Sequence, residues 1–348
     1  MVMQDGGTVD VRPGPGPGRA APEHSGAYLA TGLCLTLYAG VLGAWTVFGI
    51  TQGDGSTWDF VEGLFNPGAS LTTQILGPYE WAFTVAFLVI AGLTLAQRRV
   101  ARSAALLSGF VLLALSLREG VGLLHAAYRH QYTNDPLGSW ALATRGLGVV
   151  VALVVLFSMF PATERRCDDQ PPLTGAAAPD TQWRRLSRIC GVLFLIMALA
   201  ELGWALRDMT SGGTDTGRYL RGVVDGSVLG ALDLAASAEF TTVGSVLVLL
   251  ILGVLALRGR REVRGALLVF AALELYMTVR TVVWLTVSGF FNRSFETTEG
   301  ALSMATTAYG LAAMTSVVVL ATGRGFGPDE SLRPEGVRAA AVGREGWL

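Results

Sequence analysis

The sequence predicts an all-α, polytopic membrane protein whose eight transmembrane helices form two parallel four-helix repeats, with both termini cytoplasmic. Three observations carry that prediction. Of the 348 residues 51% are apolar and 15% charged, and mean hydropathy is +0.47, whereas a soluble domain carries about 25% charged residues. The apolar residues fall in blocks near the roughly 20 residues that cross about 30 Å of hydrocarbon. Residues 98–160 also align without a gap on residues 260–322, with 14 identities in 63 positions, among them arginines and glycines that hydrophobicity alone does not supply.

The elements follow in order. The tail 1–24 is rich in Gly, Pro and Asp and reads as mobile; no basic stretch leads into an apolar core, so no cleavable signal peptide is expected and the first span inserts itself. The first repeat, 25–160, holds spans at 26–50, 79–97, 103–127 and 137–160. In its 51–78 loop Trp58, Val61, Leu64 and Phe65 have helical spacing. That loop either lays a short amphipathic helix on the membrane surface or is partly ordered with scattered aromatics. Residues 161–186, rich in Pro, Gly and Ala, read as an irregular cytoplasmic linker. The second repeat, 187–323, holds spans at 187–207, 239–257, 265–290 and 300–322, and Tyr219, Leu220, Val223 and Val224 occupy the corresponding loop. A Gly-, Pro- and Arg-rich tail, 324–348, is read as mobile.

Orientation follows from arginine, because the chain has no lysine and all 26 basic residues are Arg. Eighteen lie in the two tails, the 98–102 and 258–264 turns and the 161–188 segment; Arg129, Arg207, Arg218, Arg221 and Arg293 lie in or at the edge of the alternate loops, and Arg118, Arg145 and Arg280 inside spans. The positive-inside rule then places both termini and the linker in the cytoplasm of a multi-pass plasma-membrane protein, with the acidic 51–78 loop outside. An even number of spans per repeat gives both repeats one orientation, related by an axis along the membrane normal. Lacking lysine, the chain has no Schiff-base or ammonium general-base chemistry. Cys34, Cys167 and Cys190 form no C-x-x-C pair, and His24, His125 and His130 are too scattered for paired haem ligands, so no metal or cofactor is expected. A net charge of −1 disfavours nucleic acid.

Charges inside the spans are the candidate site residues, because burying one costs several kcal/mol unless it is paired or lines a cavity. Arg118 lies 16 residues beyond Arg102, about 24 Å along a helix, and Arg280 bears the same relation to Arg264. Glu80 opens the second span and Glu239 the sixth, so Glu80 with Arg118 and Glu239 with Arg280 are the expected ion pairs. They serve either as structural clamps or as a polar floor for a ligand. A second set breaks the repeat: Glu119, His125 and Arg145 face Thr281, Val287 and Thr307, and Glu274 faces Leu112. Glu201 in the fifth span has no charged counterpart. Glu119 is matched with Arg145, which leaves Glu201 and Glu274 without a cation. An unpaired carboxyl in hydrocarbon tends to keep its proton. It then donates or relays that proton or hydrogen-bonds a quinone or isoprenoid; otherwise it is bonded to a helix backbone, Tyr276 or Tyr309. Glu201, Glu274 and Glu119 are the candidate acids.

Each repeat has a first span closing in a Gly and Trp region (Leu42-Gly43-Ala44-Trp45; Leu202-Gly203-Trp204) and a second span opening with Glu (Tyr79-Glu80-Trp81; Ala238-Glu239-Phe240). A Gly near that span's inner end (Gly92; Gly253), an arginine turn and a small-and-aliphatic third span follow. This pattern resembles the DoxX-like four-transmembrane-helix superfamily, here as a tandem duplication. The resemblance implies a four-span unit with a Glu at the Glu80 and Glu239 positions, and a link to quinone or thiol redox systems, although no cysteine pair is present.

Three functions are consistent with these residues. The first is binding of a lipid-like molecule, a membrane lipid, quinone or isoprenoid, between the two repeats, in an accessory role beside a membrane-protein partner of a redox or biosynthetic system. The second is a terpene-cyclase-like intramembrane enzyme using a buried Glu as general acid. The third is a proton-coupled small-molecule transporter, disfavoured because no span contains an interior proline break.

Overall fold

The computed structural model describes residues 18–52, 57–68, 76–162, 178–211, 216–228, 234, 237–292 and 294–322. Among these the chain forms α1 (Ser25–Gln52), α2 (Thr57–Phe65), α3 (Pro78–Leu95), α4 (Ala101–Gly122), α5 (Ala126–Asn134) and α6 (Gly138–Met159). The second half supplies α7 (Ala178–Ser211), α8 (Thr216–Val224), α9 (Ala238–Leu257), α10 (Arg264–Val287) and α11 (Thr298–Thr322), and no strand occurs among the described residues. Eight helices, all but α2, α5 and α8, are long and apolar enough to cross a membrane. Such helices are apolar on every face, and side chains such as Leu29, Leu33 and Leu37 of α1 point outward.

Two four-helix halves pack side by side. In the first, α1 packs on α3 and α6, and α4 on α6; in the second, α7 packs on α9 and α11, and α10 on α11. Leu35, Phe87 and Ile90 are buried at the centre of the first half, and Phe194, Leu249 and Met314 at the centre of the second. The halves meet mainly where α10 lies against α4 and α3. Both arginine turns sit at one end of the bundle, since Arg102 faces Glu262 at 3.2 Å, so the halves run parallel. Arg99 N donates to Gly18 O and Arg264 Nε to Ala321 O, which brings residues 18 and 321 to this same tail end. The loop helices α2 and α8 occupy the opposite, loop end.

Hydrogen bonds recur at matching positions of the two halves. Trp45 Nε1 donates to Thr144 Oγ1 at 2.9 Å, and Trp204 Nε1 to Thr306 Oγ1 at 3.3 Å. Arg102 Nε donates to Met159 O at 3.1 Å, as Arg264 Nε does to Ala321 O at 2.8 Å. Each arginine closes the end of the last helix of its half, where carbonyls lack helical partners.

Three boundaries differ from the sequence reading. Helix α7 begins at Ala178, inside the segment read as irregular linker; Pro179 stands in its first turn, where the missing N–H is not needed. Residues 18–24, read as part of a mobile tail, are fixed against the 97–99 turn by hydrogen bonds including Ala20 N to Gln97 O at 2.8 Å. The third span stops at Gly122, and a turn at 123–125 leads into the polar helix α5. The remainder of the tails, 1–17 and 323–348, lies outside the described residues, as does 163–177 of the linker.

At the tail end α4 and α10 approach so closely that only glycine fits: a Cβ on Gly265 would overlap the Val100 carbonyl oxygen, and Ser103 Oγ would lie 2.9 Å from it. Gly265→Ala is therefore expected to lower stability by about 1–3 kcal/mol. Gly40→Ala, whose Cβ would meet nothing within 4 Å, should be close to neutral. Thermal unfolding of both variants in detergent checks this; equal midpoints would contradict it.

Candidate functional site

The arginines read as partners of Glu80 and Glu239 reach across to the opposite half instead. Arg118 Nε donates to Gly222 O of α8 at 3.3 Å, and Arg280 donates through a terminal nitrogen to Gly63 O of α2 at 3.4 Å. The two contacts are counterparts: each half lays its loop helix over the other half's membrane arginine. The expected pairs Glu80 with Arg118 and Glu239 with Arg280 do not form, because a loop helix stands where the carboxylate was expected. Glu239 lies against Gly222, whose Cβ would be 3.1 Å from its carboxyl carbon, and is close enough to act on the charge of Arg118. The Arg118 guanidinium also sits 5.5 Å from the centre of the Phe240 ring.

Around Arg118 the first half builds a polar cluster at the loop end. Glu119 lies 3.5 Å from Arg145, the pairing read from the repeat-breaking positions, and 3.9 Å from Arg118. Tyr128 Oη donates to Glu119 Oε2 at 2.9 Å and meets Tyr132 Oη at 3.2 Å. Burial raises the Tyr128 phenol above its ordinary value, helped by Tyr132 and the Glu119 charge, so it stays a donor. Arg145, Glu80, Tyr38 and Thr144 line a cavity of about 30 Å³, room for one water. His125 pairs with Asp225 at 3.0 Å, tying α5 to the segment after α8. Burial pushes the Asp225 carboxyl up, but hydrogen bonds from Ser227 and the charges of His125 and Arg221 outweigh it and leave it below the usual range.

The second half carries a different constellation. Ser245 Oγ lies 2.9 Å from Glu201 Oε2 and 2.7 Å from Glu274 Oε1, joining α7, α9 and α10 in its interior. Both separations are hydrogen bonds, and the hydroxyl owns a single proton. One carboxyl must supply the other, so at least one of the two glutamates in the trio is a carboxylic acid. The alternative partners Tyr276 and Tyr309 are engaged elsewhere, on Leu64 O and Leu193 O. In the aligned half Leu112 stands at the position of Glu274, and it is buried, so the fold itself does not require an acid there.

A third feature has no charge and was not legible in the sequence. Between α3 and α10, with α4 behind and the end of α2 above, lies a cleft of about 490 Å³. Its tail end is walled by Val100, Ala104 and Gly265 and its loop end by Phe65, Trp81 and Tyr276. Ala82, Ala86 and Ala272 leave the space between. From Gly265 to Tyr276 the helix rises about 16 Å. Glu274 is buried in the second half's interior while its neighbour Leu273 lines the cleft, so the acid trio and the cleft are separate. No group of three or more His, Cys, Asp or Glu side chains with metal-binding geometry occurs among the described residues.

Compared with protein-family models, curated proteins and solved structures, the chain gives no match.

Ser245→Ala leaves two buried carboxyls without their bridge and is expected to cost about 1–3 kcal/mol. Glu274→Gln, whose amide donates to the hydroxyl without needing a proton, should cost less; thermal unfolding that ranks them the other way would refute the shared-proton reading. For Asp225, the lowered folded value means that its stabilisation is complete above the ordinary aspartate range and is lost as pH falls through the folded value. Asp225→Asn should therefore remove part of the acid-side loss of thermal stability, and an unchanged acid limb would contradict it.

Proposed function

We propose that this protein binds a lipid-like small molecule, a quinone or isoprenoid, in the cleft between its two halves. In this reading the chain is a tandem duplication of a DoxX-like unit in the plasma membrane, with both tails cytoplasmic. The observation that carries the proposal is the cleft itself. Its volume falls in the range of small-molecule sites, about 300–1,000 Å³. Its wall is built from aliphatic and aromatic side chains, and an apolar cavity of that kind stays dry. Hydrocarbon is the occupant that fits most of its length, since the charged clusters lie outside the cleft and the only polar lining groups are Trp81 and Tyr276 at its loop end. The matching hydrogen bonds of the two halves support the duplication, and the arginine turns at the tail end support the orientation.

A second reading has its own observation. The Glu201–Ser245–Glu274 trio holds a proton inside the second half, as an intramembrane acid or a proton-coupled carrier requires. It ranks below the binding reading because Glu274 is turned into the helix bundle, away from the cleft. Transport ranks last: the eight long helices run without interruption, whereas carriers of this class commonly break helices at the site.

Native mass spectrometry with lipid analysis of the gently extracted protein tests the proposal. Wild type is expected to carry an apolar ligand, and Ala272→Phe, which fills the cleft, to lose it while Glu274→Gln retains it. Loss only in Glu274→Gln would move the site to the acid trio and refute the cleft.

A further inference from the structure

Arg118 and Arg280 occupy counterpart positions and make counterpart contacts, yet their charges are met differently. Arg118 has Glu119 at 3.9 Å and Glu239 nearby. Arg280 has Thr281 where its twin has Glu119, and no carboxylate of the described residues lies within 4.0 Å of it. Its one hydrogen bond to a described residue is the long contact to Gly63 O, and its Nε is buried with no acceptor among the described residues. Arg280 is half-buried at the loop end, and an anion beside a guanidinium that has no counter-ion among the described residues is stabilised by a charge-assisted hydrogen bond.

Arg280 stands at the loop end of the cleft. It is one helical turn beyond Tyr276, and the carbonyl it touches belongs to the residue before Leu64; both Tyr276 and Leu64 line the cleft. A second donor at this end also lacks a partner: Trp81 Nε1 is buried with no acceptor among the described residues, beneath the Phe60 ring of α2 at 5.4 Å. Here α2 supplies only stand-in acceptors, its terminal carbonyls at Gly63 and Leu64, the latter receiving Tyr276 Oη at 2.6 Å.

We propose that the molecule in the cleft is an anionic amphiphile, its hydrocarbon chain between α3 and α10 and its carboxylate or phosphate head on Arg280, with Trp81 as a second donor. The head takes the place of the α2 carbonyls, so α2 lifts as it binds. This rests on the cleft being a ligand site and narrows the occupant from any lipid-like molecule to one with an acidic head.

The test uses the full chain in detergent and three probes sharing one saturated chain: palmitate at a pH where it is ionised, hexadecyl phosphate and hexadecanol. Wild type should bind at least one of the two anions about tenfold or more tighter than the alcohol. Whichever anion is preferred names the head group as carboxylate or phosphate. Arg280→Gln should bind all three at the alcohol's affinity, which also shows that the variant is folded, and Arg280→Lys should keep the preference. Equal binding of anions and alcohol by wild type, or a preference that survives Arg280→Gln, overturns the head-group assignment while leaving the cleft in place. Failure of all three probes to bind wild type overturns the cleft reading and this one together.

Discussion

The reciprocal contact of Arg118 with α8 and Arg280 with α2 organises the loop end of the molecule. A charge placed in a membrane helix must find polar partners, and here each arginine finds them in backbone carbonyls that the other half's loop helix leaves unsatisfied at its C-terminal end. The contact joins the halves, since the hydrogen bond of each arginine goes to the other half. It also fixes where the loop helices lie. Helix α2 is thereby set over the end of the cleft, and α8 over the polar cluster of the first half.

Within that shared frame the two halves differ in where they place their polar groups. The first keeps an aliphatic interior at Leu42 and Leu112 and concentrates Glu119, Arg145, Tyr128 and Tyr132 at its loop end. The second has Thr281, Thr307, Phe290 and Ser294 at the matching positions, and places its polar groups deeper, at Glu201, Ser245 and Glu274. Both arrangements obey one constraint: each buried polar atom needs a partner, and a partly satisfied network is worse than an apolar one. The loop-end cluster answers with ion pairs and phenol hydrogen bonds, the deep trio with a shared proton. The answer is incomplete at both membrane arginines, since the Arg118 terminal nitrogens and Arg280 Nε are buried without a hydrogen-bond acceptor among the described residues, but Arg118 has the Glu119 charge beside it, and Arg280 adjoins the large apolar cleft between the halves.

Much of the architecture was legible in the sequence because the bilayer dictates it. Spans of the right length and the arginine turns follow from local composition, whereas the loops around Trp58 and Tyr219 were left open between a short helix and a partly ordered segment, and the structure gives helices at 57–65 and 216–224. Pairing was not legible, because depth along the spans places Glu80 near the level of Arg118 and Glu239 near that of Arg280, while only the structure shows each arginine turned to the other half's loop helix. Glu119 with Arg145 could be read because both residues break the repeat. Ser245 could not, being one hydroxyl among many in the spans, and it is the residue that joins Glu201 to Glu274. The cleft is carved by alanines that are common throughout the chain, so nothing in their pattern marks it. The start of α7 was hidden by Pro179, which reads as a breaker but is compatible with a helix's first turn.

The central claim is that the space between α3 and α10 is an occupied binding site. Its most direct test is an electron cryo-microscopy map of the protein extracted with its native lipids. The account predicts continuous elongated density along Ala86 and Ala272, ending beside Arg280 under or in place of the end of α2. A cleft closed by movement of α10 onto α3, or density confined to the interior around Glu201 and Glu274, would contradict it.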